Sequence, residues 1–142
     1  MSNRIQEMVE VLRQWQGIER QSMNDTAEIM EVTDNKLIRL IMEIIRHDSL
    51  MHHRVQQFLV DSVTKEDVPV TREDVAEIWE KIEAHDELEK QTVEMAEKLH
   101  EKAWSPVHKL LYHYLITDEK KHDAILEELN SLKEGMNRAS GG

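Results

Sequence analysis

Glu119 and His122 stand three residues apart in the run Ile116-Thr-Asp-Glu-Lys-Lys-His122. Residues at i and i+3 share a helical face, so on a helix one carboxylate and one imidazole reach a common metal ion. Any charged, solvated helix can carry one Glu-x-x-His by chance. The reason to weigh this one is an echo earlier in the chain. Displaced by 70 residues, Leu88-Glu89-Lys90-Gln91-Thr92 falls on Ile18-Glu19-Arg20-Gln21-Ser22, Asp118 on Asp48 and His122 on His52. The Glu-to-His separation is therefore 33 residues in both halves. Further matches at this offset are Glu7/Glu77, Glu10/Glu80, Leu40/Leu110 and Leu59/Leu129. The repeated polar residues lie within apolar stripes, where helix propensity alone would not put them.

Four helices are predicted to carry these residues. The first, about residues 3–32, has the stripe Ile5, Met8, Leu12, Trp15, Glu19, Ser22, Thr26, Ile29, whose steps of three and four are the helical period. The apolar stripe is interrupted at Glu19, and an unpaired buried carboxylate there would cost several kcal/mol. Either a metal or a buried histidine must answer it. Thr33-Asp34-Asn35 is a short polar turn able to cap a second helix, about 35–61, so the pair should form an antiparallel hairpin. Its stripe is Ile38, Ile41, Ile45, Ser49, His52, Gln56, Leu59. Ser49 occupies the place that Glu119 holds in the second half.

Residues 61–71 contain Pro69 and show no helical period. Eleven extended residues reach ~36–40 Å, about the length of a 27-residue helix at ~1.5 Å per residue. A long crossover between the two hairpins is the expectation. Thr71-Arg72-Glu73-Asp74 then supplies an N-cap with acids in the first turn. The third helix, about 72–103, has the stripe Val75, Ile78, Ile82, His85, Glu89, Thr92, Ala96, Leu99. Ser105-Pro106 reads as N-cap and first residue of a fourth helix, about 106–134, with the stripe His108, Leu111, Leu115, Glu119, His122, Ile125 or Leu126, Leu129. Residues 135–142 are expected to be a disordered tail beyond a single 1–134 domain.

Composition limits the chemistry. The 142 residues include no cysteine, so any metal must be held by carboxylate, imidazole or water, without thiolate or iron–sulfur ligation. A formal net charge of −11 and the absence of a basic stripe argue against nucleic acid as a partner. No run approaches the ~18 apolar residues of a membrane span, and the N-terminus lacks a signal-peptide core. The default expectation is a cytoplasmic protein. His47, His53, His100 and His113 lie off the stripes and are expected to be solvated or interfacial, and Tyr112 and Tyr114 to pack.

Two hairpins with Glu on helices one and three and histidine on helices two and four match what a carboxylate-bridged dinuclear site requires, and hard oxygen ligands with imidazole suit Fe or Mn. Over about residues 3–134 the chain resembles the ferritin-like superfamily, rubrerythrin-like proteins in particular. The resemblance implies an all-α, ferritin-like four-helix bundle of two homologous hairpins, with a metal site at Glu19, His52, Glu89, Glu119 and His122. It also implies iron, with Mn or Zn as substitutes, and ferroxidase, peroxidase or oxygen-activating chemistry in a homodimer. Ser49 departs from the pattern by removing one bridging carboxylate, for which Asp48 or His85 could compensate. The Cys-rich rubredoxin module is absent, so electrons would come from an external donor. The competing reading is a non-enzymatic helical bundle whose Glu and His residues only pair with one another.

Overall fold

The computed structural model describes the backbone of residues 2–141 and the side chains of residues 2–135. The chain forms four helices, α1 (Asn3–Val32), α2 (Lys36–Thr64), α3 (Arg72–Lys102) and α4 (Pro106–Gly141), and no strand among the described residues. They make two compact units, Met1–Pro69 and Val70–Gly142, in which α1 packs on α2 and α3 on α4. No described helix is long and apolar enough to cross a membrane.

Capping residues set most helix starts. The Asn35 side chain accepts from the backbone N–H groups of Leu37 and Ile38 at 3.0 Å each and so fixes the start of α2. At α3, Thr71 and Asp74 form a reciprocal capping box: Asp74 N–H donates to the Thr71 hydroxyl and Thr71 N–H to the Asp74 carboxylate. Ser105 precedes Pro106, the first residue of α4, where proline's missing N–H costs no helical bond. Two boundaries differ from expectation. α2 runs past residue 61 to Thr64, held by a Gln57–Asp61 hydrogen bond and by Thr64 Oγ1 donating to the Val60 carbonyl. This leaves seven linker residues, 65–71, where the sequence predicts eleven. The α4 backbone is helical across Gly135 to Gly141, whereas the expected tail at 135–142 falls mostly on residues whose side chains are outside the description.

The seam of the first hairpin is polar. Leu12 and Val60 are buried, but so are Gln16, Glu19, Thr26, Ser49 and Gln56. Gln16, rather than the expected Trp15, turns inward; Trp15 is half-exposed. Gln16 Nε2 donates to the His53 carbonyl and to Gln57, and Arg13 donates to both Gln16 and Gln57. In the second hairpin the buried described residues are Val75 and Ala96. Several residues placed on inward stripes are 40–53% accessible, among them Ile38, Ile45, Ile78, Leu99 and Leu115. The helical period identifies the apolar side of a helix, but one neighbouring helix covers only a flank of it.

Candidate metal centre

In the second hairpin, antiparallel packing sets Glu89 of α3 opposite Glu119 and His122 of α4. One ligand atom from each of these three residues lies within 4.8 Å of the others. His122 Nδ1 is 3.0 Å from Glu89 Oε1 and 3.8 Å from Glu119 Oε2. One turn before Glu89, His85 Nε2 also approaches Oε1, at 3.0 Å. Asp118, one turn before His122, faces its other ring nitrogen at 3.5 Å.

The electrostatics are one-sided. Acceptance of the His122 hydrogen bond by Glu89 raises the imidazole above its ordinary value, and the charges of Glu89, Asp118 and Glu119 add to this against the opposing effect of desolvation. The shift favours the protonated imidazole, paired with Glu89, over the neutral one. Glu89 is not fully satisfied by that pairing. Its side chain is 13% accessible, and Oε2 is buried with no hydrogen-bond partner. An unanswered buried acceptor costs about 1–3 kcal/mol. An open cleft of about 310 Å³ bordered by Glu89, Lys90, Val93, Glu119, Lys120 and Asp123 gives access from solvent. Two carboxylates and an imidazole, one of them with a free buried oxygen, fit a divalent cation of the Fe, Mn or Zn type and leave coordination positions open.

The first hairpin holds the corresponding residues in a closed arrangement. Glu19 Oε1 is 3.5 Å from His52 Nδ1, and the carboxylate is buried while the imidazole is exposed. Ser49, at the place of Glu119, shares a 2.8 Å hydroxyl hydrogen bond with Ser22. Asp48 is exposed. The five residues expected from sequence thus meet as Glu19 with His52 in one unit and as Glu89, Glu119 and His122 in the other.

Beyond those five, the second hairpin adds Asp118 and an acidic layer at Asp86 and Asp123. A hydrogen bond to Asp86, together with burial and the charges of Asp86 and Glu127, raises the Asp123 carboxyl above its usual range, with Lys90 opposing. Buried oxygens of both Asp86 and Asp123 lack partners. Sequence offered a faint signal for these residues, since Asp86 precedes Glu89 by three positions and Asp118 precedes His122 by four. No family model, curated protein or solved structure matches the chain.

Proposed function

We propose that this chain is a ferritin-like metal-binding protein that holds iron, or manganese in its place, at Glu89, Glu119 and His122. The observation that carries the reading is that one ligand atom each of Glu89, Glu119 and His122 lies within 4.8 Å of the others, on a Glu89 carboxylate whose Oε2 is buried with no partner among the described residues. Ion pairing alone would explain Oε1, which accepts from His85 and His122, but gives Oε2 nothing. Glu89 and Glu119 would bind through carboxylate oxygens. His122 would bind through Nδ1 after losing its proton, so metal competes with that proton. His85 and Asp118 would orient the ligands by hydrogen bonding, as outer-shell groups do.

Iron held by such a set supplies redox chemistry of the ferroxidase, peroxidase or oxygen-activating kind. The chain has no cysteine, so a redox cycle would draw electrons from an external donor. Metal analysis of protein purified without chelator tests the proposal. Iron or manganese near one per chain is expected. Metal-free protein that takes up neither ion on titration would leave the Glu and His residues as a paired polar seam in a non-enzymatic bundle.

A further inference from the structure

A flank of the first hairpin away from Glu19 carries Arg13, Gly17 and Arg20, whose steps of four and three set them on one face of α1. Arg13 Nη1 donates to Gln57 Oε1 at 2.8 Å and to Gln16 Oε1 at 2.9 Å, and Arg20 Nη1 donates to His53 Nε2 at 3.2 Å. Both guanidiniums are thus held by neutral acceptors. Neither forms an ion pair among the described residues, in a chain whose net charge is −11. Asp61 lies close enough to feel the Arg13 charge, but its carboxylate accepts from Gln57 at 2.9 Å and pairs with Lys65 at 3.4 Å. We infer that this flank is an oxyanion site, in which the remaining N–H groups of Arg13 and Arg20 hold a phosphate group over Gly17.

Three features favour a phosphate there. The first is preorganisation. His53 and Gln57 are four residues apart on α2, so the guanidiniums they hold stand about 5–6 Å apart. An oxyanion that accepts at ~2.7–2.9 Å from each side fills a gap of that order. Because the two forks are already fixed by hydrogen bonds, less side-chain freedom is lost on binding. Two guanidiniums also balance a phosphate dianion, whereas a single carboxylate would leave one of them unmatched.

The second is Gly17, which lies in the middle of α1, where glycine is the poorest helix former after proline. A Cβ at this position would meet only Arg20 Nη2, at an ordinary 3.8 Å, so packing within the hairpin does not demand glycine. What glycine leaves is a notch between the two arginines, open to a ligand that a longer side chain would obstruct. The third is the internal repeat. At the offset of 70, Arg13, Gly17, His53 and Gln57 become Glu83, Glu87, Asp123 and Glu127, and only Arg20 keeps its charge, as Lys90. The same flank of the second hairpin is acidic and repels anions, so it serves as a control within the chain.

The test titrates inorganic phosphate, glycerol 3-phosphate and acetate separately into the full chain, metal-free and at constant ionic strength, and follows backbone amide chemical shifts. Phosphate should shift amides near residues 13–20 and 53–57 saturably and leave those near 83–90 and 123–127 in place. Arg13→Gln and Arg20→Gln should each weaken binding about tenfold or more, the effect of one charge-assisted contact, and Lys90→Gln should bind as wild type does. Gly17→Glu should abolish binding without lowering the melting temperature, which separates loss of the site from loss of the fold. Tighter binding of glycerol 3-phosphate than of inorganic phosphate would identify an organic phosphate as the ligand, and equal binding would identify phosphate itself. A wild type with no saturable shift, acetate that binds as tightly as phosphate, or a Gly17→Glu variant that binds like wild type would each overturn the site. The wild-type titration and Gly17→Glu decide the matter even if an arginine variant does not fold.

Discussion

The two hairpins share one scaffold and differ in what they do with charge. In the first hairpin His52 Nδ1 stands 3.5 Å from the Glu19 carboxylate, Ser22 and Ser49 share a hydrogen bond, the next layer is a Gln16, Gln57 and Arg13 network, and Gln56 Oε1 is buried without a partner among the described residues. At the offset of 70, the second hairpin replaces Ser49 by Glu119, Gln16 by Asp86, His53 by Asp123 and Gln57 by Glu127. Its carboxylates outnumber nearby cations, and among the described residues one buried oxygen each of Asp86, Glu89 and Asp123 has no partner. Two copies of one helical pattern thus hold their polar residues differently, and at the Ser49/Glu119 position a hydroxyl pair in the first hairpin gives way to a carboxylate beside Glu89 and His122 in the second. Burial raises the stakes, because an acceptor left unanswered away from water loses its solvation with no return.

The largest expected effect separates those two positions directly. Glu119→Ala should weaken Fe(II) or Mn(II) binding by more than about 100-fold, since even outer-shell changes cost 10–100-fold. Ser49→Ala should change it by less than about twofold. Isothermal titration of both variants makes the measurement, and equal losses would erase the proposed difference between the hairpins.

Ser49→Glu should convert the closed seam into the open kind. Ser49 is 5% accessible, so the added carboxylate would sit beside Glu19 away from water. Without metal the variant should lose several kcal/mol of stability through repulsion and desolvation. With Fe(II) or Mn(II), α1–α2 would offer the donor set of α3–α4, and stoichiometry should rise toward two per chain with a larger metal-induced increase in melting temperature than in wild type. A destabilised variant that no metal rescues would show the first hairpin to be a polar seam by construction, beyond repair by one ligand.

How far the sequence could be read follows the range of each interaction. The helix starts at residues 72 and 106 were legible because caps are local: Thr71 with Asp74, and Ser105 before Pro106, act within one turn. The 70-residue echo pointed to Glu19, His52, Glu89 and His122 and the Glu-x-x-His spacing to Glu119; in the structure Glu19 lies near His52 in one hairpin and Glu89, Glu119 and His122 lie together in the other. The exchange of Trp15 for Gln16 was not legible. Both residues lie near the apolar stripe, and which one turns inward depends on the flank that α2 covers. Asp86 and Asp123 were hidden for a related reason, and Asp118 showed only as a match to Asp48, since acids near a ligand occur on any charged helix and gain meaning only when the opposite helix is in place.

A smaller effect is expected from the acidic layer. Asp123 has its folded value raised above the ordinary 3.8, so the metal-free folded state takes up a proton more readily than the unfolded chain. The resulting penalty is absent below about 3.8 and grows as pH rises through the folded value. Asp123→Asn should therefore raise the melting temperature of metal-free protein at pH 7 and leave it nearly unchanged below pH 4. The corresponding change in the first hairpin, His53→Asn, should show no such gain at pH 7, and a gain there as large as that of Asp123→Asn would mean that the two layers are not electrostatically distinct.

The smallest effect concerns the helix starts. α1 begins on Ser2 alone, whose hydroxyl accepts from Ile5 N–H, with no acid in the first turn. α3 begins on the Thr71–Asp74 capping box with Glu73 beside it. Losing a side-chain cap costs about 1 kcal/mol. Thr71→Ala should approach that figure, because it removes one half of a reciprocal pair and loosens the other, whereas Ser2→Ala, which removes a single cap with no reciprocal partner, should cost less. The Asp74 carboxyl is held below its usual range, first by the Thr71 backbone N–H and then by the Thr71 hydroxyl. Its contribution is therefore present above the unfolded value near 3.8 and fades as pH falls through the lower folded value. Thermal melts of both variants at pH 7 and pH 3 check the pair: the Thr71→Ala deficit should shrink at the lower pH and the Ser2→Ala deficit should not. Equal, pH-independent deficits would mean that the acid of the box contributes nothing beyond an ordinary cap.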